Sequence, residues 1–129
     1  LYAEGVIRTI GVSNFFPNVL MNLVENVEIK PAVNQVELHP FFAQTAALEN
    51  MKELGIQPEA WAPLAEGKHG IFTDPELTAI GAKYGKSAAQ VVLRWNVQRG
   101  VVILPKSTKP ERMAQKTSAI RKIRRLQKL

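Results

Sequence analysis

Short apolar runs alternate along the chain with stretches in which apolar residues return every three or four positions. Residues 6–12 read as a strand running into Ser13-Asn14. A helix over about 18–27 follows, with Asn18 as its cap and Val19, Leu20, Leu23 and Val24 as its apolar stripe. Residues 32–38 set Val33, Gln35 and Glu37 against Asn34, Val36 and Leu38, the alternation of a strand, and His39-Pro40 ends it. A helix over about 44–54 carries Ala47, Leu48, Met51 and Leu54 on one face and stops at Gly55. Residues 56–63 form a third strand. A loop over 64–75 holds Gly67, Gly70 and Asp74-Pro75, and Pro75 opens a helix over 76–84 closed by Gly85. Ser87 caps a stronger helix over 88–98, with Val91, Val92, Trp95 and the stem of Arg94, and Gly100 stops it. Residues 101–104 read as a fully buried fourth strand running into Pro105-Lys106-Ser107. Thr108-Lys109-Pro110-Glu111 starts a last helix. Residues 1–5 read as the end of a helix stopped by Gly5, as though the chain begins inside a domain.

Strands and helices alternating at this spacing predict an α/β fold with a parallel sheet and right-handed crossovers. A doubly wound sheet that binds a dinucleotide needs a glycine-rich turn after its first strand, and none is present. A barrel of repeated units puts its chemistry at the C-terminal ends of its strands. Here those ends carry Ser13-Asn14, Gln35 with Glu37 and His39, Trp61-Ala62-Pro63, and Lys106-Ser107, so the barrel is the better reading.

Composition narrows the classes further. Hydrophobic residues make up 46% of the 129, enough for a core. The absence of Cys excludes a disulfide framework, a thiol nucleophile and a Cys-ligated metal. No apolar run has the roughly 18–20 residues of a membrane span. The net charge of +6 is unevenly spread: residues 1–105 hold 8 basic and 10 acidic side chains, residues 106–129 hold 9 basic and one acidic. The chain is a nearly neutral body with a basic end, and nucleic-acid binding does not follow from its overall charge.

Gly11-Val12-Ser13-Asn14-Phe15, then Asn34-Gln35-Val36-Glu37 with His39-Pro40, then Trp61-Ala62-Pro63-Leu64, then Leu104-Pro105-Lys106-Ser107 with Arg112 and Gln115, resemble in order and spacing the aldo-keto reductases. The likeness is greatest to the prokaryotic diketogluconate and glyoxal/methylglyoxal reductase group and covers residues 1–115. It implies a (β/α)8 TIM barrel, of which this chain is the second half, strands five to eight with their helices, truncated at both ends. It also implies NADPH-dependent reduction of aldehydes or ketones, in the cytoplasm.

The resemblance assigns Ser13, Asn14 and Gln35 to the nicotinamide carboxamide, whose one acceptor and two donor hydrogens a hydroxyl and two amides can satisfy. Trp61 takes the position of the ring that stacks on the nicotinamide. Pro63, Leu64, Glu66 and Gly67 belong to the segment that covers the pyrophosphate. Lys106, Ser107, Thr108 and Arg112 match the clamp on the 2′-phosphate of NADPH, and cations with hydroxyls suit a dianionic monoester. Gln115 matches a contact to adenine; the next position is ordinarily Asn in the family and is Lys116 here. Taken singly, Ser13-Asn14 reads sooner as a strand-end turn and Trp61 as core, and Lys106 with Arg112 could be charged surface; in order, they favour the cofactor. His39 reads as part of a structural His-Pro turn and His69 as solvated.

The family's catalytic Asp, Tyr, Lys and His fall on the other half of the barrel and have no match here. Tyr2 and Tyr84 fall on helical segments. The expectation is therefore a chain that binds NADP(H) but lacks carbonyl reduction alone and folds marginally, with two unpaired sheet edges and an open apolar interior. It would accept a small carbonyl substrate only if the first half is supplied, or associate with itself through the open edges. Beyond Gln115 the basic stretch 116–129 leaves the family pattern. It reads either as a basic amphipathic helix with Ile120, Ile123 and Leu126, suited to nucleic acid or an anionic surface, or as a reading-frame shift. Codons AAA-ACT-TCx for Lys116-Thr117-Ser118 contain AAC-TTC, the family's Asn-Phe, in a neighbouring frame. The alternative to a reductase half is thus a non-enzymatic basic protein acting through 116–129.

Overall fold

A computed structural model describes residues 1–121. Four parallel strands, β1 (Gly11–Ser13), β2 (Val33–Glu37), β3 (Gln57–Trp61) and β4 (Val102–Ile103), lie in one sheet in the order of the sequence. Each strand is followed by helix: α1 (Pro17–Asn26), α2 (Thr45–Glu53), the pair α3 (Pro75–Tyr84) and α4 (Ala88–Gln98), and α5 (Pro110–Arg121). Parallel pairing in sequence order places every strand's C-terminal end on one edge of the sheet.

The alternation read along residues 32–38 is realised in β2. Asn34, Val36 and Leu38 are buried under helices, while Val33, Gln35 and Glu37 are half-buried on the other face. Leu20 of α1, Ala47 and Met51 of α2, and Val36, Leu38 and Ala60 share the main core, with Trp95 of α4 packed against it. A second core joins Ala65 and Ile71 to Leu77 of α3 and Ala88 and Val92 of α4. Ser87 and Gln90 form a reciprocal capping box at the start of α4, and Asp74 accepts from the Leu77 N–H at the start of α3.

Four expectations are corrected. Residues 6–10 are not strand: Val6, Ile7 and Ile10 are exposed, and β1 is only three residues long because β2 is its one neighbour and offers partners for Gly11–Ser13 alone. The fourth strand is two residues long and not fully buried. Val102 and Leu104 are exposed because β4 also has a neighbour on one side only, among the described residues. Asn18 does not cap α1. Pro17 holds the first helical position, its missing N–H needing no partner there, and Phe16 is the flanking residue without a side-chain cap bond. The open sheet face is not apolar, since the registers put Gln35 beside Glu59 and Glu37 beside Trp61 on it.

At the start of the chain the Val6 N–H donates to the Leu1 carbonyl and the Gly5 N–H to that of Tyr2, with Gly5 at φ 74°. These are the bonds of a helix C-terminus, as the position of Gly5 suggested, and Tyr2 lies in this turn rather than in a helix. α5 runs unbroken past Gln115 to Arg121, and Ala119 is buried. Ile123 and Leu126 lie outside the described residues. No helix among the described residues is long and apolar enough to cross a membrane.

Candidate functional site

The C-terminal ends of β1, β2 and β3 bring Ser13, Asn14, Gln35 and Trp61 together. Asn14 sits in the left-handed region at φ 60°, a conformation that Asn tolerates better than most side chains. Its N–H donates to the Gln35 carbonyl at 2.8 Å, and the Ser13 hydroxyl donates to the same oxygen at 2.9 Å. The Trp61 indole N–H donates to Asn14 Oδ1 at 2.8 Å, tying the end of β3 to the end of β1 across β2. The Gln35 amide donates to Glu59 on the neighbouring strand. Backbone and side-chain bonds therefore join the four residues into one row, in which Ser13 and Asn14 are exposed and Gln35 and Trp61 half-buried.

Two residues that shape this row were not singled out by their motifs. Asn34 is fully buried; its Nδ2 donates to the Phe15 carbonyl at 2.7 Å and its Oδ1 accepts from the Phe15 N–H at 3.4 Å. One amide thus replaces the strand partner the chain loses at the turn and holds Asn14 in place. Glu59 fixes the Gln35 amide. Neither role has a sequence signal beyond a polar residue at an inward strand position. Asn34→Ala leaves both Phe15 backbone groups unpaired, and we expect it to cost about 2–3 kcal/mol of stability, read from the urea unfolding midpoint.

After Trp61 the backbone enters the left-handed region at Ala62, Ala65, Glu66, Gly67, His69 and Gly70. Pro63 and Leu64 are half-buried, Leu64 packing against the second core, whereas Glu66 and Gly67 are exposed. Glu66 pairs with Lys68, whose hydrogen bond and charge hold the Glu66 carboxyl below its ordinary value. His69 is exposed, with its ring edge-on to Phe41 at 6.2 Å. His39 is buried, with Nε2 3.2 Å from Glu37 Oε1, beside an open hollow of about 450 Å³ lined by Glu37, His39, Phe41, Phe42 and His69.

The second cluster occupies the β4–α5 connection. The Ser107 hydroxyl accepts from the Lys109 N–H at 3.2 Å, closing the turn that leads into α5. Lys106, Thr108, Arg112 and Gln115 are exposed and Ser107 is half-buried. Among the described residues, no carboxylate pairs with Lys106, Lys109, Arg112 or Lys116. The cluster is held by Gln90, whose Nε2 donates to the Gln115 carbonyl at 2.9 Å and to the Ser118 hydroxyl at 3.1 Å. Gln90 carries no motif signal, and its burial follows from the docking of α5 on α4. No group of three or more His, Asp or Glu among the described residues could hold a metal ion.

Sequential parallel βα units with polar residues gathered at the C-terminal strand ends define a protein of the (β/α)-barrel kind. The chain belongs to the aldo/keto reductase family, whose model matches residues 1–128. It is 49% identical to the glyoxal reductase of Bacillus subtilis over 115 residues, covering 89% of this chain and 41% of that protein. It is 40% identical to the methylglyoxal reductase DkgA of Escherichia coli over 115 residues, covering 89% and 42%. An aldo-keto reductase of Bombyx mori solved in complex with NADP superposes with a TM-score of 0.83 at 36% identity, over 92% of this chain and 41% of that one. The chain thus spans about two-fifths of the length of these relatives.

Proposed function

We propose that the chain is the second half of an aldo-keto reductase barrel, supplies the NADPH-binding surface of a carbonyl reductase, and carries no catalytic residue itself. The observation that carries this reading is the shared sheet edge. The hydrogen-bonded row of Ser13, Asn14, Gln35 and Trp61 and the unpaired cations of the β4–α5 connection stand at the C-terminal ends of successive parallel strands. When bound, NADPH supplies the hydride. Ser13, Asn14 and Gln35 present hydroxyl and amide groups to its carboxamide, and Trp61 offers a ring face to the nicotinamide. Pro63, Leu64, Glu66 and Gly67 border the pyrophosphate. Lys106, Ser107, Thr108 and Arg112 hold the 2′-phosphate, and Gln115 lies towards the adenine. The fit to a phosphate rests on four cations with no carboxylate partner among the described residues.

The relatives named as glyoxal and methylglyoxal reductases support a small dicarbonyl as substrate. Reduction needs a proton donor for the carbonyl oxygen, and no motif of this chain provides one. The first half of the barrel would supply it, along with closure of the sheet. The family model runs on to residue 128, but the basic residues of 116–129 support a frame shift as their origin; the coding DNA tests this by whether the neighbouring frame continues in family-like residues. Retention of the chain on immobilised 2′,5′-ADP, with release by NADPH but not by NADH, tests the cofactor reading. Passage through the column unretained overturns it. Salt-sensitive DNA binding lost on deleting 116–129 would favour the basic-protein alternative.

A further inference from the structure

Lys116 stands one turn beyond Arg112, at the i,i+4 spacing that puts two side chains on one helix face. Its ammonium donates to the backbone carbonyl of Lys106, ten residues earlier, and so bridges α5 to the connection that carries Lys106, Ser107 and Thr108. That carbonyl lies on the residue whose own ammonium belongs to the proposed clamp. Partial burial, and then the Arg112 charge, hold the Lys116 ammonium below its ordinary pKa. Glu111, the acidic residue in the first turn of α5, forms no ion pair with it. The fold therefore brings a cation toward a second cation, with a carbonyl dipole as its one partner among the described residues. Such an arrangement is unfavourable until a multiply charged anion joins it. A single negative charge would leave part of the repulsion; a phosphomonoester dianion relieves both.

We propose that Lys116 is a specificity-determining residue of this cluster, fixing the 105–109 connection through the Lys106 carbonyl and adding positive charge beside Arg112 for a phosphomonoester dianion. The inference rests on the cofactor reading above and deepens it. The residue that departs from the family pattern next to Gln115 is assigned to the phosphate rather than to the base. Its effect is confined to the nucleotide that carries the 2′-phosphate, because the dianion it faces is absent from NADH.

The test is calorimetric titration of the 129-residue chain and its Lys116→Met and Lys116→Arg variants with NADPH and with NADH. Amide exchange of residues 106–109 is followed without nucleotide. Methionine keeps the unbranched apolar stem and removes the charge and the bond; arginine keeps both. Expected is about a tenfold loss of NADPH affinity in Lys116→Met, the scale of one charge-assisted hydrogen bond, with NADH affinity unchanged. Faster exchange at 106–109 should accompany it, and Lys116→Arg should restore both. A Lys116→Met chain that keeps the full preference for NADPH overturns the role of Lys116 and leaves the cofactor reading standing. Equal losses for NADPH and NADH show a merely structural residue and overturn it too. A wild-type chain that does not prefer NADPH overturns the cofactor reading, and the inference with it.

Discussion

Arg112→Ala is expected to weaken NADPH binding about 10–100-fold, because a guanidinium–phosphate contact contributes about 1.5–3 kcal/mol. NADH binding should stay within about twofold, since nothing in that nucleotide needs the guanidinium. Arg112 is exposed on α5, makes no ion pair among the described residues, and its backbone N–H is satisfied by the Lys109 carbonyl at 3.1 Å. Truncating it therefore leaves no buried group unpaired, and the unfolding midpoint should not move. The separation of binding from stability is what makes the variant informative. A loss of both together would point to a role in docking α5. Titration calorimetry with both nucleotides, beside a urea melt, reads the two effects. Lys106→Ala should act in the same direction, because Lys106 is likewise exposed and its backbone carbonyl remains available to Lys116.

The second large effect concerns catalysis. The chain by itself should oxidise no NADPH with phenylglyoxal or another dicarbonyl above the uncatalysed rate. The whole enzymatic enhancement, on the order of 10⁶-fold or more, is absent when no group donates the proton. Fusing the first half of the Bacillus subtilis glyoxal reductase ahead of residue 1 should restore turnover, because the proposed partner supplies both the acid and the missing sheet neighbours. Turnover by the isolated chain, free of contaminating enzyme, would contradict the account. The isolated chain should still hold its cofactor surface, since the β4–α5 cluster is positioned by Gln90 and Ser118 within the chain. The open sheet face carries Gln35, Glu37 and Glu59 beside Val33, Trp61 and Val102, a mixed rather than an apolar surface.

Much of this was legible in the sequence because local signals agreed with the fold. The alternation of residues 32–38 names the buried face of β2 residue by residue. Ser87, and Asp74 with Pro75, mark helix starts that depend on neighbours within one turn. The outer strands are shorter than the sequence predicts because a strand's length depends on its partners, and a β-prone stretch such as residues 6–10 carries no record of which partners it meets. Gly81 was equally silent. A Cβ there would stand 2.3 Å from the Lys86 carbonyl oxygen, a close approach between the end of α3 and the turn into α4 that only the packed structure reveals.

The site divides in the same way. Ser13, Asn14, Gln35 and Trp61 were found as motif residues, and three hydrogen bonds join them at one edge. The roles of Asn34, Glu59 and Gln90 are not legible in the sequence because each acts on a neighbour distant in it. The amide of Asn34 serves Phe15, the carboxylate of Glu59 serves Gln35, and the amide of Gln90 serves α5. Their identity says only that they are polar; their burial gives them a task. Lys116 stood out in the sequence as a departure, but its bond to Lys106 depends on how α5 is set against the β4–α5 connection.

The central claim is that this chain recognises the 2′-phosphate of NADP(H) with its own residues. Phosphorus NMR of NADP⁺ titrated with the 129-residue chain tests it most directly, because the 2′-phosphate resonance is resolved from the pyrophosphate. The account predicts that this resonance shifts and broadens as the chain is added, and that Arg112→Ala moves the change to about 10–100-fold higher protein concentration. A 2′-phosphate resonance that stays at its free position at excess protein would contradict it.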